Sequence, residues 1–530
     1  MAIPLHSKSA EYQRRGLFDG VRNFSELERR IEALSDEQQR GDAFEVFTEA
    51  YFATQRPHDA HTLWPQSAAP AAVLQSLGLT LRDNGVDGVL QSPVGLLSVY
   101  QAKFRSGRAA LTWRELSTFI GLADSSQIHS RILFTNSDDI PALMNERRGF
   151  FCIRGADLER LEELDFVAIE RWLAGAPVDV PKKEPLPHQQ EAIAVILPAL
   201  EQHSRATAVM ACGTGKTLVA LWVAERSQAT TILVLLPSLA LVRQTLHEWL
   251  HETRWPSLAY LCVCSDPTVT SDVDSLSVTQ TDLDFEVNTD SKTVRAFLDA
   301  DFQGTRLVFC TYQSAHIVAA AMGDGEAFDL GIFDEAHKTA GREGAKFSFA
   351  LQDDNLPIRK RLFLTATPRH YDLKRRDAEG EPVEVYSMNR PEIYGPVVHT
   401  LSFAEAAKQK IICNYKVVIS VVTSAMLDQQ KLRHGTVLIN GDEVKAQQVA
   451  NQIALAQAVA EHQLKKIFTF HSRKSSAKSF TSKGSEGIGT HLPDFAALHV
   501  NGAMSTAARD GLMTEFKAAR QVRRRGSNAR

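Results

Sequence analysis

Met-Ala-Cys-Gly-Thr-Gly-Lys-Thr, residues 210–217, is the stretch that decides how this chain is read. A β-branched and apolar run, Ala206–Met210, leads into it. An apolar run at helical spacing, Leu218–Val223, leads out. Strand, glycine-rich loop and helix, in that order, form the setting that a phosphate-binding loop requires. Gly213 and Gly215, either side of Thr214, let backbone N–H groups close around a phosphate, with the positive end of the new helix behind them. Lys216 is placed to reach β- and γ-phosphates, and Thr217 to offer its hydroxyl to Mg²⁺. Met210 stands where the general pattern has its first glycine, so Gly213 must supply the tight turn.

A second stretch answers the first. Leu330-Gly331-Ile332-Phe333-Asp334-Glu335-Ala336-His337 is an apolar strand delivering two acids at its carboxyl end, where ligands bind in open α/β sheets. Asp334 would hold the Mg²⁺ that bridges the phosphates of ATP, and Glu335 would position or deprotonate the attacking water. His337 would link the nucleotide to a neighbouring lobe. Lys216 and the Asp334–Glu335 pair are expected at neighbouring strand ends of one sheet. Further buried-type strands are read at Thr230–Leu236, within Leu307–Ser314, which ends in a polar loop, and within Arg361–Pro368.

Composition sets the limits. The chain has 530 residues, 44% hydrophobic and 23% charged, which favours about three domains. A net charge of −4 gives no global attraction to nucleic acid, so any such site must be local. No apolar run is long enough to span a membrane, and the N-terminus has no signal-peptide core. The six scattered cysteines suggest reduced thiols in a cytoplasmic protein. Cys262–Asp301 carries nine acids against two bases and reads as a mostly solvated insertion that would repel DNA.

The motor motifs resemble those of superfamily-two helicases of the DEAD/DEAH-box kind, especially the motor subunits of type I and type III restriction enzymes. The match covers roughly Pro185–Arg530. Leu186–Ile193 resembles the adenine-recognising Q-motif, with Gln189 as the amide that would pair with adenine. Pro237–Gln244 resembles motif Ia, where Ser238 would touch nucleic-acid phosphates. Thr311 and Gln313, in a motif Ib-like stretch, would line the strand track. Leu364–Pro368 resembles motif III. Lys465–Arg473 resembles motif IV, read as a strand then a loop, and Leu498–Met504 fits the next strand of a second lobe. Asn528-Ala529-Arg530 matches the start of motif V, and motif VI with its arginine finger is absent. The expectation is therefore a front part of a longer protein that binds ATP–Mg²⁺ but hydrolyses it poorly.

The N-terminal third carries different chemistry. Phe24–Ala33 and Gly41–Thr54 read as amphipathic helices, the second with Glu45 beside its apolar face. Asp83–Leu90 reads as a turn entering a strand, and Leu97–Phe104 is its hairpin partner. Gln101 and Lys103, two apart, project from one strand face, with Asp87 alongside on the partner. A carboxylate beside a polar residue and a lysine suits Mg²⁺-assisted phosphodiester cleavage. Trp113–Leu122, Arg131–Thr135 and a closing helix, Leu158–Leu173, complete a small α/β domain.

This third resembles the Mrr-like branch of the PD-(D/E)xK restriction nucleases through Gly41-x-x-Phe44-Glu45, Gly85-Val86-Asp87 and Gln101-Ala102-Lys103. The resemblance implies Glu45, Asp87, Gln101 and Lys103 as active-site positions, with the Ala102 carbonyl as a further metal ligand. Together the resemblances imply an α/β protein: a restriction-endonuclease-like domain (1–175), a linker (176–187), a RecA-like ATP-binding lobe (188–371), a connector (372–400) and an incomplete second RecA-like lobe (401–530). The order resembles the front of a single-chain, type I-like (ISP) restriction enzyme. It implies ATP and Mg²⁺ as cofactors, duplex DNA tracked along one strand as partner, and modification or specificity subunits or further C-terminal domains. Two rivals stay open: a DNA or RNA helicase whose N-terminal domain only binds nucleic acid, and an ATP-binding remnant without turnover.

Overall fold

The computed structural model describes residues 6–519, except 56–61, 81–84, 148, 179–180, 265–282, 343–346, 372–384, 420–431, 434–435, 440–441, 472, 483–486, 502–503 and 505. The turn residues Asp83 and Asn84, residues 265–282 of the acidic stretch and the motif V-like end lie outside the described residues. The chain divides into two compact units, the first running to Cys413 and the second holding residues 414–530.

The first unit opens with α1 (Ser9–Arg14), α2 (Phe24–Glu32) and α3 (Glu37–Thr54), then β1 (Thr62–Pro65) and α4 (Ala71–Leu77). Next come β2 (Gly88–Gln91), β3 (Leu97–Lys103), α5 (Trp113–Leu122), β4 (Ser130–Thr135), β5 (Phe150–Ile153), α6 (Gly155–Leu158) and α7 (Glu163–Leu173). The five strands lie in sequence order, antiparallel from β1 to β3 and parallel from β3 to β5. An aromatic core (Phe24, Phe44, Phe47, Phe52, Phe134, Phe166) joins α2, α3 and α7 to one sheet face. Leu74, Leu116 and Phe119 join α4 and α5 to the other. Gly88 is obligatory, because a Cβ there would overlap the Tyr100 ring on the paired strand. The single closing helix expected at Leu158–Leu173 is two helices, α6 and α7.

The motor sheet follows: α8 (Pro187–Gln202), β6 (Arg205–Met210), α9 (Lys216–Arg226), β7 (Thr231–Leu236), α10 (Leu239–Glu252), β8 (Leu258–Val263), α11 (Ser291–Asp299), β9 (Thr305–Thr311), α12 (Ala315–Ala319) and β10 (Phe328–Phe333). A short ribbon pairs β11 (Gly341–Arg342) with β13 (Val385–Tyr386), and between them runs β12 (Ile358–Thr365). Then α13 (Pro391–Tyr394), β14 (Val397–Leu401) and α14 (Phe403–Lys408) close the unit. Seven parallel strands take the order β14-β6-β12-β10-β7-β9-β8. Their near-continuous burial is what a parallel sheet covered on both faces demands. Residues 397–401, expected inside the connector, instead supply the edge strand β14 beside β6. The expected lobe boundary at 401 therefore moves to 413. The edge of β6 needs a hydrogen-bonding neighbour, and Thr207 also donates its hydroxyl to the Tyr394 carbonyl at 2.6 Å.

The acidic stretch departs from its expected solvated state. Leu283, Asp284, Phe285 and Val287 are buried. The Asn288 N–H donates to the Cys262 carbonyl beside β8 (2.8 Å), and the Cys152 N–H of β5 donates to the Leu283 carbonyl (3.3 Å). This segment thus joins the two sheets. Alternating apolar residues at 283, 285 and 287 carried that signal inside an acidic composition.

The second unit contains β15 (Leu432–Arg433), β16 (Thr436–Ile439) and β17 (Asp442–Lys445), an antiparallel set. It also holds α15 (Ala446–His462), α16 (Lys474–Phe480) and α17 (Thr506–Ala518). The strands expected within Lys465–Arg473 and Leu498–Met504 are not formed among the described residues. Phe468 and Phe470 are 60% and 95% exposed, so no described element covers the two faces that a buried parallel strand needs. Among the described residues, no helix is long and apolar enough to cross a membrane.

Candidate nucleotide site and candidate nuclease site

Parallel strands bring their carboxyl ends to one edge, and the motor motifs gather there. Past β6 the chain turns through Gly213 (φ +83°) and Gly215 (φ +79°), left-handed conformations that glycine adopts without strain. Gly215 caps α9, and no side chain occupies that cap, which leaves the helix start to a phosphate. Thr214 fastens the loop by donating its hydroxyl to the Ala211 carbonyl at 2.7 Å. Its own carbonyl accepts from His188 Nε2 (3.0 Å) and Gln189 Nε2 (3.1 Å), which fixes the proton of His188 on Nε2. Gln189 Oε1 accepts from the Leu186 N–H at 2.8 Å. Both ends of the amide expected to read adenine are therefore engaged within the protein, bracing the loop from α8. His188 was not foreseen.

Asp334 and Glu335 leave β10 where it pairs with β7 and β12. The loop after β6 and the acids after β10 are not on neighbouring strands, because β12 lies between them. The spacing is still close enough for the Lys216 charge to lower the proton affinity of both acids. Burial, then the Glu335 charge, pushes Asp334 up to about 6. Glu335 goes the other way, held down first by its hydrogen bond to His337, then by Lys216 and the His337 charge. His337 Nδ1 lies 3.2 Å from Glu335 Oε2 and 3.1 Å from the Thr365 hydroxyl at the end of β12. Within this unit His337 thus ties the second acid to the motif III-like strand end. Glu335 has φ +49°, a strained conformation for a residue with a side chain.

The three nucleic-acid candidates are placed less openly. Ser238 caps α10, its hydroxyl accepting from the Leu241 N–H at 3.4 Å. Gln313 is half-buried, its carbonyl 2.9 Å from His316 Nδ1. Thr311 is 4% exposed and shares a 2.7 Å hydrogen bond with the Ser314 hydroxyl. Thr311 therefore shapes the loop and does not line an open track. The turn folded over the end of β9 is what buries it.

In the N-terminal domain the hairpin sets Asp87 beside β3, and Asp87 Oδ2 accepts from the Ala102 N–H at 2.7 Å. Burial, then the Glu45 charge, pushes Asp87 up to about 7, while Lys103 and His6 act in the opposite sense. Gln101 is 2% exposed, and its Oε1 has no hydrogen-bond partner among the described residues. Two neighbours were not foreseen. His6 Nε2 lies 3.3 Å from Glu45 Oε2, and its backbone N–H donates to Glu49 Oε2 at 2.8 Å. Burial pushes Glu49 up to about 8. Glu49 sits one helical turn beyond Glu45, a spacing legible in the sequence; the approach of His6 is not. Among the described residues no cluster of three or more His, Cys, Asp or Glu side chains is arranged to hold a metal ion by itself. Mg²⁺ commonly takes only one or two carboxylates, completing its shell with waters and phosphate oxygens, so the donor sets at both places fit it.

Residues 182–370 match the family described as type III restriction enzyme, res subunit. The chain is 29% identical over 274 residues to the probable helicase A859L of African swine fever virus (isolate Pig/Kenya/KEN-50/1950), which covers 51% of this chain and 27% of that protein. It is 29% identical over 276 residues to the A859L of isolate Tick/Malawi/Lil 20-1/1983, with the same shares covered. The chain thus spans about a quarter of the length of these relatives. Among solved structures, the ATP-dependent type ISP restriction-modification enzyme LlaBIII bound to DNA superposes with a TM-score of 0.66 at 21% identity, covering 91% of this chain and 32% of that one. That likeness bears out the mixed α/β fold with RecA-like parallel-sheet lobes.

Proposed function

We propose, on the premise that residues 182–370 form a superfamily-two helicase domain of the type III res-subunit kind, that this chain is an ATP-driven DNA translocase fused to a Mg²⁺-dependent DNA endonuclease. The observation that carries the motor reading is the convergence of Lys216 with Asp334 and a strained Glu335 at one sheet edge. In this reading the Gly213–Thr217 loop and the start of α9 hold the β- and γ-phosphates. Lys216 offsets their charge. Glu335, oriented by its hydrogen bond to His337, positions or deprotonates the attacking water. Asp334 and Thr217 would hold Mg²⁺, whose charge offsets that of the phosphates. DNA as the track is supported by the fold it shares with a DNA-bound type ISP enzyme.

The nuclease reading rests on Gln101, whose buried side-chain oxygen has no hydrogen-bond partner among the described residues and lies on the strand beside Asp87. A buried acceptor without a donor costs free energy, about 1–3 kcal/mol, and such groups concentrate where something is to be bound. Asp87, Glu45 and Gln101 would hold Mg²⁺, and Lys103 would orient or deprotonate water at a phosphodiester.

Two substitutions in the full chain test the two halves separately. Lys216→Ala is expected to abolish binding of Mg-ATP, and retained binding would reject the motor. Asp87→Ala is expected to abolish metal-dependent nicking of plasmid DNA while Mg-ATP binding persists. Equal nicking by the variant would leave the N-terminal domain as a binding module.

A further inference from the structure

Tyr312 directly follows the last residue of β9 and is 1% exposed. Its hydroxyl donates to the backbone carbonyl of Asp334 at 2.7 Å. The ring is held by Phe333 and Phe347, with centroids 6.2 and 5.9 Å away. Burial, then the Asp334 charge, raises the phenol well above its ordinary value of 10, so it remains a donor.

The peptide between Asp334 and Glu335 is thereby held from both sides. Its carbonyl accepts from Tyr312, and its N–H donates to Asp334 Oδ1 at 2.9 Å. One residue earlier, the Asp334 N–H donates to the Leu235 carbonyl of β7 at 3.0 Å. Glu335 then takes φ +49°, a conformation costing about 1–3 kcal/mol that persists only where the surroundings over-determine it. Rotation of this one peptide would relieve the strain and swing the Glu335 carboxylate away from His337 and Lys216.

We infer that Tyr312 is a positioning residue for ATP hydrolysis, its hydroxyl holding the Asp334–Glu335 peptide so that the Glu335 carboxylate stays aimed at the attacking water. This rests on the ATP-hydrolysing reading above. Nothing in the residue types of the Thr311–Ser314 loop assigns this role; only the contact across β7 and β10 does.

Tyr312→Phe keeps the ring and removes only the hydroxyl. In the full chain, single-turnover hydrolysis of Mg-ATP with protein in excess should slow by about tenfold or more, because small misplacements of a reacting group are costly. The Kd for Mg-ATP should stay at the parent's value, while the lost hydrogen bond lowers the melting temperature by about a few degrees at most. An unchanged hydrolysis rate overturns the inference. So does a slowing matched by an equal weakening of ATP binding, which a merely structural role would produce. Deuterium exchange at the Glu335 amide is the second readout and needs no turnover. It quickens in Tyr312→Phe if the hydroxyl holds the peptide, and an unchanged rate overturns the inference. A parent chain that binds no Mg-ATP sinks the motor reading instead, while the exchange measurement still reports on Tyr312.

Discussion

Arg243 of α10 and Asp157 of α6 stand 2.5 Å apart, nitrogen to oxygen, across the seam between the motor sheet and the N-terminal domain. The same guanidinium lies 2.9 Å from Asp284, which also meets His247 at 2.9 Å. A second pair, His129 with Glu286 at 2.9 Å, crosses the seam nearby. The two carboxylates around Arg243 are almost fully shielded from water. Burial raises Asp157, with Arg243 opposing, whereas the charges of His247 and Arg243 overcome burial at Asp284 and hold it well below its ordinary value.

Arg243→Ala should therefore destabilise the first unit, by about 3 kcal/mol, since it removes the cation two buried acids share and leaves Asp284 to His247 and Asp157 to Arg160. Urea unfolding of the variant measures this. A change below 1 kcal/mol (roughly the worth of an exposed pair) would show that the seam is wet and the cluster unimportant.

The N-terminal site predicts a pH dependence. Glu49 has its proton affinity raised by burial from 4.5 to about 8 in the folded chain. Between those values the folded state binds more protons than the unfolded one, so stability falls as pH rises through that window. The loss is on the order of a few kcal/mol, and Glu49→Gln should flatten it. Unfolding free energies measured from pH 5 to pH 8.5, without divalent ions, supply the comparison; parallel slopes in parent and variant would refute the assignment.

Gly215→Ala should weaken Mg-ATP binding sharply. At φ +79° an added Cβ costs about 1–2 kcal/mol, and here it would also overlap Gln189 Nε2, displacing the brace on the Thr214 carbonyl. Titration with a fluorescent ATP analogue reads the change. Affinity equal to the parent's would mean that the loop is not shaped by this turn.

His337→Ala removes the group that orients the Glu335 carboxylate and ties it to Thr365. ATP binding should persist while hydrolysis drops by roughly 10²-fold, the scale of a misplaced reacting group. Loss of both together would recast His337 as part of the binding pocket.

Much of the motor was legible because its signals are local. A glycine-rich turn between strand and helix, and two acids after an apolar strand, declare themselves within eight residues each. Gln101 and Lys103 were legible through the two-residue period of a strand, and Glu45 through its place on an amphipathic helix. The roles of His6 and Tyr312 were not, because their contacts join residues brought together only by packing. The acidic stretch misled for a related reason: composition averaged over forty residues hid a buried hexapeptide whose charges are met by Arg243, His247 and His129.

By itself the sequence determined the α/β class, the buried strands of the motor sheet and the glycine-rich turn before α9, since hydrophobic period and turn chemistry act over a few neighbouring positions. Only the tertiary structure decided that β12 separates Lys216 from Asp334, that 397–401 closes the sheet edge, and that the segment from Leu283 to Asn288 joins the domains. Strand order and ion-pair partnership are set by the free energy of burying whole faces and charges together. That quantity belongs to residues far apart in the chain, so no local pattern can state it.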